Sequence, residues 1–155
     1  MLIAVGSDHR GDDLRSKLVA LLLRLGQEVE EVRVDSDSAE GVDYPDIAEA
    51  VARKVGNGDA QRGVLICGTG LGMCIAANKV PGVRAAPCHD VVTIEVARRH
   101  NDLNVLCLPG DIVDEKLLDR LIETWIDTPF DGGRHARRNE KIDGFQNGNG
   151  HSPDV

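Results

Sequence analysis

Apolar positions along the chain switch between two periods. Leu2-Ile3-Ala4-Val5 is a continuous apolar run closed by Gly6-Ser7-Asp8-His9, the pattern of a buried strand ending in a loop. Over residues 12–25 the period changes: Leu14, Leu18, Leu21, Leu22 and Leu25 recur at helical spacing, and Gly26 supplies a stop. A second strand follows over 28–34, carried by Val29, Val32 and Val34. Asp43-Tyr44-Pro45-Asp46 opens a helix through Ile47 to Val55, with proline in its first turn and Gly56-Asn57-Gly58 after its last. Residues 63–67 predict a third, buried strand, and a helix then runs to about Lys79. A fourth strand is expected over 82–88 with a helix over 91–99, and a fifth strand over 104–108 with a helix over 114–125. One more helix begins near Arg134, and from Asn147 onward the chain reads as a disordered tail.

Five alternations of strand and helix predict an α/β fold with a five-stranded parallel sheet covered by helices on both faces. Residues 1–146 form a single domain, with 147–155 as its tail. Ligands of such sheets gather beyond the carboxyl ends of the strands. Asp8 and His9 fall there after strand one, Cys67 to Gly72 after strand three, and Pro109 to Asp111 after strand five.

Composition narrows the function. Aromatic residues make up 3% of the 155, so the core must be built from Val, Leu, Ile and Ala. The chain carries 18 basic and 26 acidic side chains, a net charge of −8. That charge repels nucleic acid and anionic membranes, and leaves room for a small anionic substrate held by a few local arginines. No run reaches the roughly 18–20 apolar residues of a membrane span, and MLIAVGSDHRG lacks the basic region and apolar stretch of a signal peptide. The four cysteines show no CxxC spacing, so a reduced, cytoplasmic protein is expected.

The densest chemistry lies in GVLICGTGLGMCIAA, residues 63–77. A dinucleotide fingerprint would put its third glycine at Met73, and no lysine closes a phosphate loop here. Two readings of Cys67 stand: a small core residue at a tight turn, or a thiolate base. The unpaired N–H groups of a helix start favour negative charge, on a thiolate and on an oxyanion alike. A base and an oxyanion cradle within three residues suit proton abstraction beside a carbonyl.

ICGTGLGMCIAANKVPGVRAA, together with SDHRG, DYPD, ARRHNDLNVL and GGRHARR, closely resembles the ribose-5-phosphate isomerase B family, whose wider group includes galactose-6-phosphate isomerase subunits. The resemblance spans residues 2–143. It implies a Rossmann-like three-layer α/β/α subunit, a homodimer or tetramer with active sites shared across the interface, and metal-free, cofactor-free interconversion of an aldose phosphate and its ketose through a cis-enediol. It also implies roles: Cys67 as the base between C1 and C2, with Thr69 and the amides of Gly68, Gly70, Leu71 and Gly72 as the enediolate cradle. Some members use an acidic residue where this chain has Met73, and methionine cannot take a proton. His100 matches the group that opens the sugar ring, Asn101 and Tyr44 line the sugar, and Asp8 binds or deprotonates a ring hydroxyl. His9, Arg134 and Arg138 match positions that hold the phosphate.

Each residue also has a plain structural reading. His100 caps a helix end, Asp8 is a turn residue or N-cap, Tyr44 packs over its loop, and the arginine run is a solvated helix face. Cys74, Cys88 and Cys107 are core residues. One departure from the family stands out. Asp111 occupies the place where members often carry a phosphate-binding arginine, and Arg10 follows His9 where a small residue is usual. Arg10 either reaches the phosphate pocket from the first loop or pairs with Asp12, Asp13 or Asp111. Isomerisation of ribose 5-phosphate is therefore the first expectation. A hexose 6-phosphate such as allose or galactose 6-phosphate, an unphosphorylated sugar, or a non-catalytic sugar-phosphate-binding module are the alternatives.

Overall fold

The computed structural model describes residues 1–34, 42–111, 113 and 115–146; the expected tail over 147–155 lies outside them. In chain order the elements are β1 (Leu2–Ser7), α1 (Asp12–Arg24), β2 (Glu28–Glu31), α2 (Tyr44–Gly56), β3 (Arg62–Cys67), α3 (Leu71–Ala77), β4 (Ala85–Pro87), α4 (Val91–Asn101), β5 (Val105–Pro109), α5 (Glu115–Asp127) and α6 (Arg134–Gln146). The strands form one parallel sheet in the order β2-β1-β3-β5-β4.

Strand periodicity sorts side chains to the two faces. Ile3, Val5, Val64, Ile66, Leu106 and Leu108 point to the layer of α1, α4 and α5, where Leu18, Leu22, Ile94, Leu121 and Trp125 pack. Ala4, Leu65, Cys67, Val105 and Cys107 point to the other face, under Val51 and Ala52 of α2 and Met73 and Ala77 of α3. This is the expected three-layer α/β/α arrangement. No helix among the described residues is long and apolar enough to cross a membrane.

Several elements differ in length from expectation. β2 ends at Glu31, although Val32 N still donates to Val5 O at 2.8 Å. β4 shrinks to three residues because Gly82 turns at φ +77° and Arg84 is drawn into the loop by Asn104. α3 stops at Ala77, where Asn78 bonds back to Cys74 O and across to Ala85. α4 runs two residues further than expected and takes in His100 and Asn101.

Candidate active site

The strand order β1-β3-β5 brings three loops together at the carboxyl edge of the sheet. Cys67 ends β3, and its side chain is buried at 6% exposure. The Gly70 N–H donates to Cys67 Sγ at 3.2 Å. This bond needs the left-handed turn that Gly70 makes at φ +74°, where a Cβ would also sit 3.4 Å from Cys107 O. Of the cradle expected over residues 68–72, one amide thus serves the sulfur. Thr69 is exposed, and its Oγ1 accepts from Leu71 N at 3.4 Å. The Tyr44 ring covers Gly72 so closely that a Cβ there would lie 2.6 Å from its Cε2. Tyr44 therefore lines the glycine turn from the start of α2.

The loop after β1 closes the other side. Asp8 N donates to Ile66 O at 3.1 Å, and Asp8 Oδ1 accepts from Arg10 N and Gly11 N at 3.0 and 3.2 Å. Asp8 is thus the turn residue, while the N-cap of α1 is Gly11. One carboxylate oxygen, Oδ1, accepts both bonds that hold the turn. His9 is exposed, and a cleft of about 390 Å³ opens between Asp8, His9, Asp12, Arg15 and Ile47. The Arg10 guanidinium forms an ion pair with Asp111, joining the β1 and β5 loops across the mouth of β3. A Cβ on Gly68 would meet Asp111 Oδ2 at 2.9 Å and Arg10 Cζ at 3.0 Å, so the pair lies directly against the residue after Cys67. Of the partners open to Arg10, Asp111 is the one it takes.

His100, Asn101, Arg134 and Arg138 form a separate group. Helices in this sheet return antiparallel to the strands, so the end of α4 lies at the amino edge, where Leu103 N bonds Ala97 O and β5 starts with Val105 opposite Gly63. Asp102, in a left-handed conformation at φ 47°, caps α4 and is clasped by Arg84 and Arg98 at 2.9 Å each. The His100 ring stacks on His135, with centroids 4.1 Å apart and planes 6° from parallel. Arg134 and Arg138, one helical turn apart on α6, are exposed beside this pair, as is Asn101. β3 spans six residues, so about 17 Å of sheet separates this edge from Cys67. The residues expected to form one pocket fall into two groups at opposite edges of the sheet.

An apolar face adjoins the second group. Leu71 and Ile75 on α3, Val92 and Val96 on α4, and Ile142 and Phe145 on α6 are 42–69% exposed. The last four, with Ala97 and Asn101, line two adjoining clefts.

The remaining thiols fit structural roles. Burial pushes Cys88 up to about 12, and contact with Cys74, then burial, raises Cys107, so both stay protonated in the core. Cys74 is only half-buried, and its Sγ donates to Ala85 O at 3.4 Å. Among the described residues, His100, Asp131 and His135 bring donor atoms within 4.8 Å of one another. Their two imidazole planes are parallel, however, and a single ion cannot lie in both. His135 and Asp102 escaped sequence reading: a histidine inside an arginine run and an aspartate after Asn101 carry no periodic signal.

The model of the Ribose/Galactose Isomerase family matches residues 3–142. Ribose-5-phosphate isomerase B of Escherichia coli is 41% identical over 140 residues, covering 90% of this chain and 93% of its own. Ribose-5-phosphate isomerase B from Clostridium thermocellum superposes with a TM-score of 0.88 at 42% identity, over 96% of this chain and 99% of that one. The Mycoplasma genitalium ribose-5-phosphate isomerase B, solved with bound ribulose-5-phosphate, superposes with a TM-score of 0.86 at 39% identity, over 94% and 96%.

Proposed function

The chain belongs to the Ribose/Galactose Isomerase family, and from that premise we propose that it interconverts ribose 5-phosphate and ribulose 5-phosphate through a cis-enediol. The observation that carries the chemistry is the Cys67 thiol, buried at the end of β3 with the Gly70 N–H aimed at its sulfur. As a thiolate it takes the C2 proton of the open-chain aldose and returns it to C1. Thr69 and the amides of residues 68–72 not engaged by the sulfur face the enediolate oxygens. Losing one such donor typically costs about 2.7–4 kcal/mol of transition-state stabilisation.

Ring opening comes first. Asp8 draws the proton from the C1 hydroxyl while His100 protonates the ring oxygen as the C1–O bond breaks. Because His100 and Cys67 sit at opposite edges of one subunit, the complete site takes Asp8, His9, Tyr44 and Cys67 from one copy, and His100, Asn101, Arg134 and Arg138 from another. The apolar face on α3, α4 and α6 supports a homodimer that buries it. A two-fold axis across that face brings the amino edge of each copy to the carboxyl edge of the other. The enzyme works in the cytoplasm, where its thiol stays reduced.

The Arg10–Asp111 pair favours a second reading. A guanidinium already matched by a carboxylate offers a phosphate less than a lone one, so a hexose 6-phosphate or an unphosphorylated sugar is the alternative substrate of the same chemistry. The test is solvent-hydrogen exchange into C2 of candidate sugars, comparing the wild type with Cys67→Ala. Exchange with ribose 5-phosphate that vanishes in the variant supports the proposal. Exchange that persists unchanged removes Cys67 from the role of base.

A further inference from the structure

His135 has no part in the chemistry described so far, yet its ring packs directly on that of the ring-opening residue. Its ring lies face to face with His100 at 4.1 Å and is buried at 8% exposure. Its backbone is fixed as well: His135 N donates to Gly132 O at 3.0 Å, where two left-handed glycines, Gly132 and Gly133, turn the chain into α6. His100, by contrast, projects from the last turn of α4 and is only partly covered. A rigid, buried ring thus forms a flat wall behind a more open one.

The charge state of His135 follows from its contacts. Arg134 Nε donates to His135 Nε2 at 3.4 Å, an acceptor role that suits a neutral ring. The charged groups facing it are Arg134 and Arg138 from α6, His100 from α4, and Asp131 from the preceding loop, itself paired with Arg99 at 3.2 Å. Burial first, then the neighbouring His100, Arg134 and Arg138, hold its pKa below the ordinary histidine range, with Asp131 in partial opposition. Two parallel imidazoles this close oppose double protonation, and the surroundings of His135 disfavour its charged form.

We propose that His135 is a positioning residue that acts through His100. It fixes the plane of the His100 imidazole for proton delivery to the sugar-ring oxygen and, by staying neutral, leaves the transferred proton on His100. This rests on the assignment of His100 to ring opening made above. In that step the C1–O4 bond of the furanose breaks, its electron pair goes to O4, and O4 takes the proton from His100. The proton of the C1 hydroxyl leaves to Asp8. Enediol formation at Cys67 follows and needs neither histidine.

The two stages can be read separately. Ribulose 5-phosphate carries its phosphate on O5 and cannot close a furanose ring, so hydrogen exchange between solvent and its C1 reports enediol formation alone. Turnover of ribose 5-phosphate requires ring opening as well. His135→Ala should lower kcat for ribose 5-phosphate by about 10- to 100-fold, the lower part of the range for a misplaced general acid, and leave C1 exchange of ribulose 5-phosphate within about twofold. His135→Phe keeps a flat ring in the same place, guards against a folding defect, and should restore most of the lost kcat. Equal loss of both activities in the alanine variant, or no loss of either, would overturn the proposal. His100→Asn is the control. If it fails to separate turnover from exchange, the assignment of His100 itself is wrong; if it separates them and His135→Ala does not, only the role of His135 is.

Discussion

Replacing Asp111 by asparagine removes one charge from the mouth of the site and keeps the side chain's shape. In the native protein the Asp111 carboxylate holds Arg10 against Gly68, beside Cys67. A substrate dianion reaching Arg10 must therefore approach a carboxylate too. A unit charge about 4 Å away is worth roughly 4 kcal/mol at an effective dielectric of 20 and about 1 kcal/mol in water. The pair is open to solvent, with 57% of the Arg10 and 36% of the Asp111 side chain exposed, which places it toward the watery limit. We therefore expect relief of repulsion worth about 1–2 kcal/mol, which is roughly a 5- to 30-fold lower KM. The opposing effect, loss of the anchor that orders Arg10, costs about 0.5–1.5 kcal/mol for one long side chain and lies at the smaller end here because Arg10 is largely exposed. The assay is steady-state kinetics on ribose 5-phosphate and on unphosphorylated ribose or allose. KM for the phosphorylated sugar should fall at low ionic strength, the gain should shrink as salt rises, and free-sugar kinetics should not move. A higher KM for the phosphorylated sugar in Asp111→Asn would instead make Asp111 an anchor for a phosphate-binding Arg10.

Two further substitutions probe the frame around each group of candidate site residues. Asp102→Ala leaves the Arg98 guanidinium, 6% exposed, without its carboxylate at 2.9 Å, and should destabilise the fold by about 3 kcal/mol in a urea melt, while Asp102→Gly, although its φ suits glycine, should be no better. Gly72→Ala puts a methyl group into the Tyr44 ring from a helical position that tolerates alanine, so the melting point should stay within a few degrees while KM rises.

Much of this architecture is legible in the chain because apolar runs of strand length alternate with 3.6-residue patterns, and each strand meant for the core is apolar on both faces. The lengths are less legible. β2 carries Glu28, Glu30 and Glu31 at the edge of the sheet, and β4 is cut short by a glycine turn and by side-chain bonds from Asn78 and Asn104, none of which alters hydrophobic periodicity. The carboxyl-edge residues were found because loops after strands are where such sheets place their chemistry. Which partner Arg10 takes depends on β1, β3 and β5 being neighbours, and strand order is not written in local sequence. The separation of His100 from Cys67 follows from chain direction: α4 runs back from the carboxyl edge to the start of β5, so its last turn, with His100 and Asn101, lies at the far edge. The stacking of His135 on His100 joins two helices whose contact no spacing rule predicts.

The proposed assembly of one active site from two copies of this chain can be tested by mixing two inactive variants. Cys67→Ala and His100→Asn should each be inactive alone on ribose 5-phosphate, since each disables both sites of a dimer. Co-expressed and randomly paired, half the dimers carry one variant of each kind, and in those one of the two sites has every residue intact. Recovery of about a quarter of wild-type activity is expected in the mixture. A mixture as inactive as its components would show that Cys67 and His100 serve the same site from the same subunit, and would contradict it.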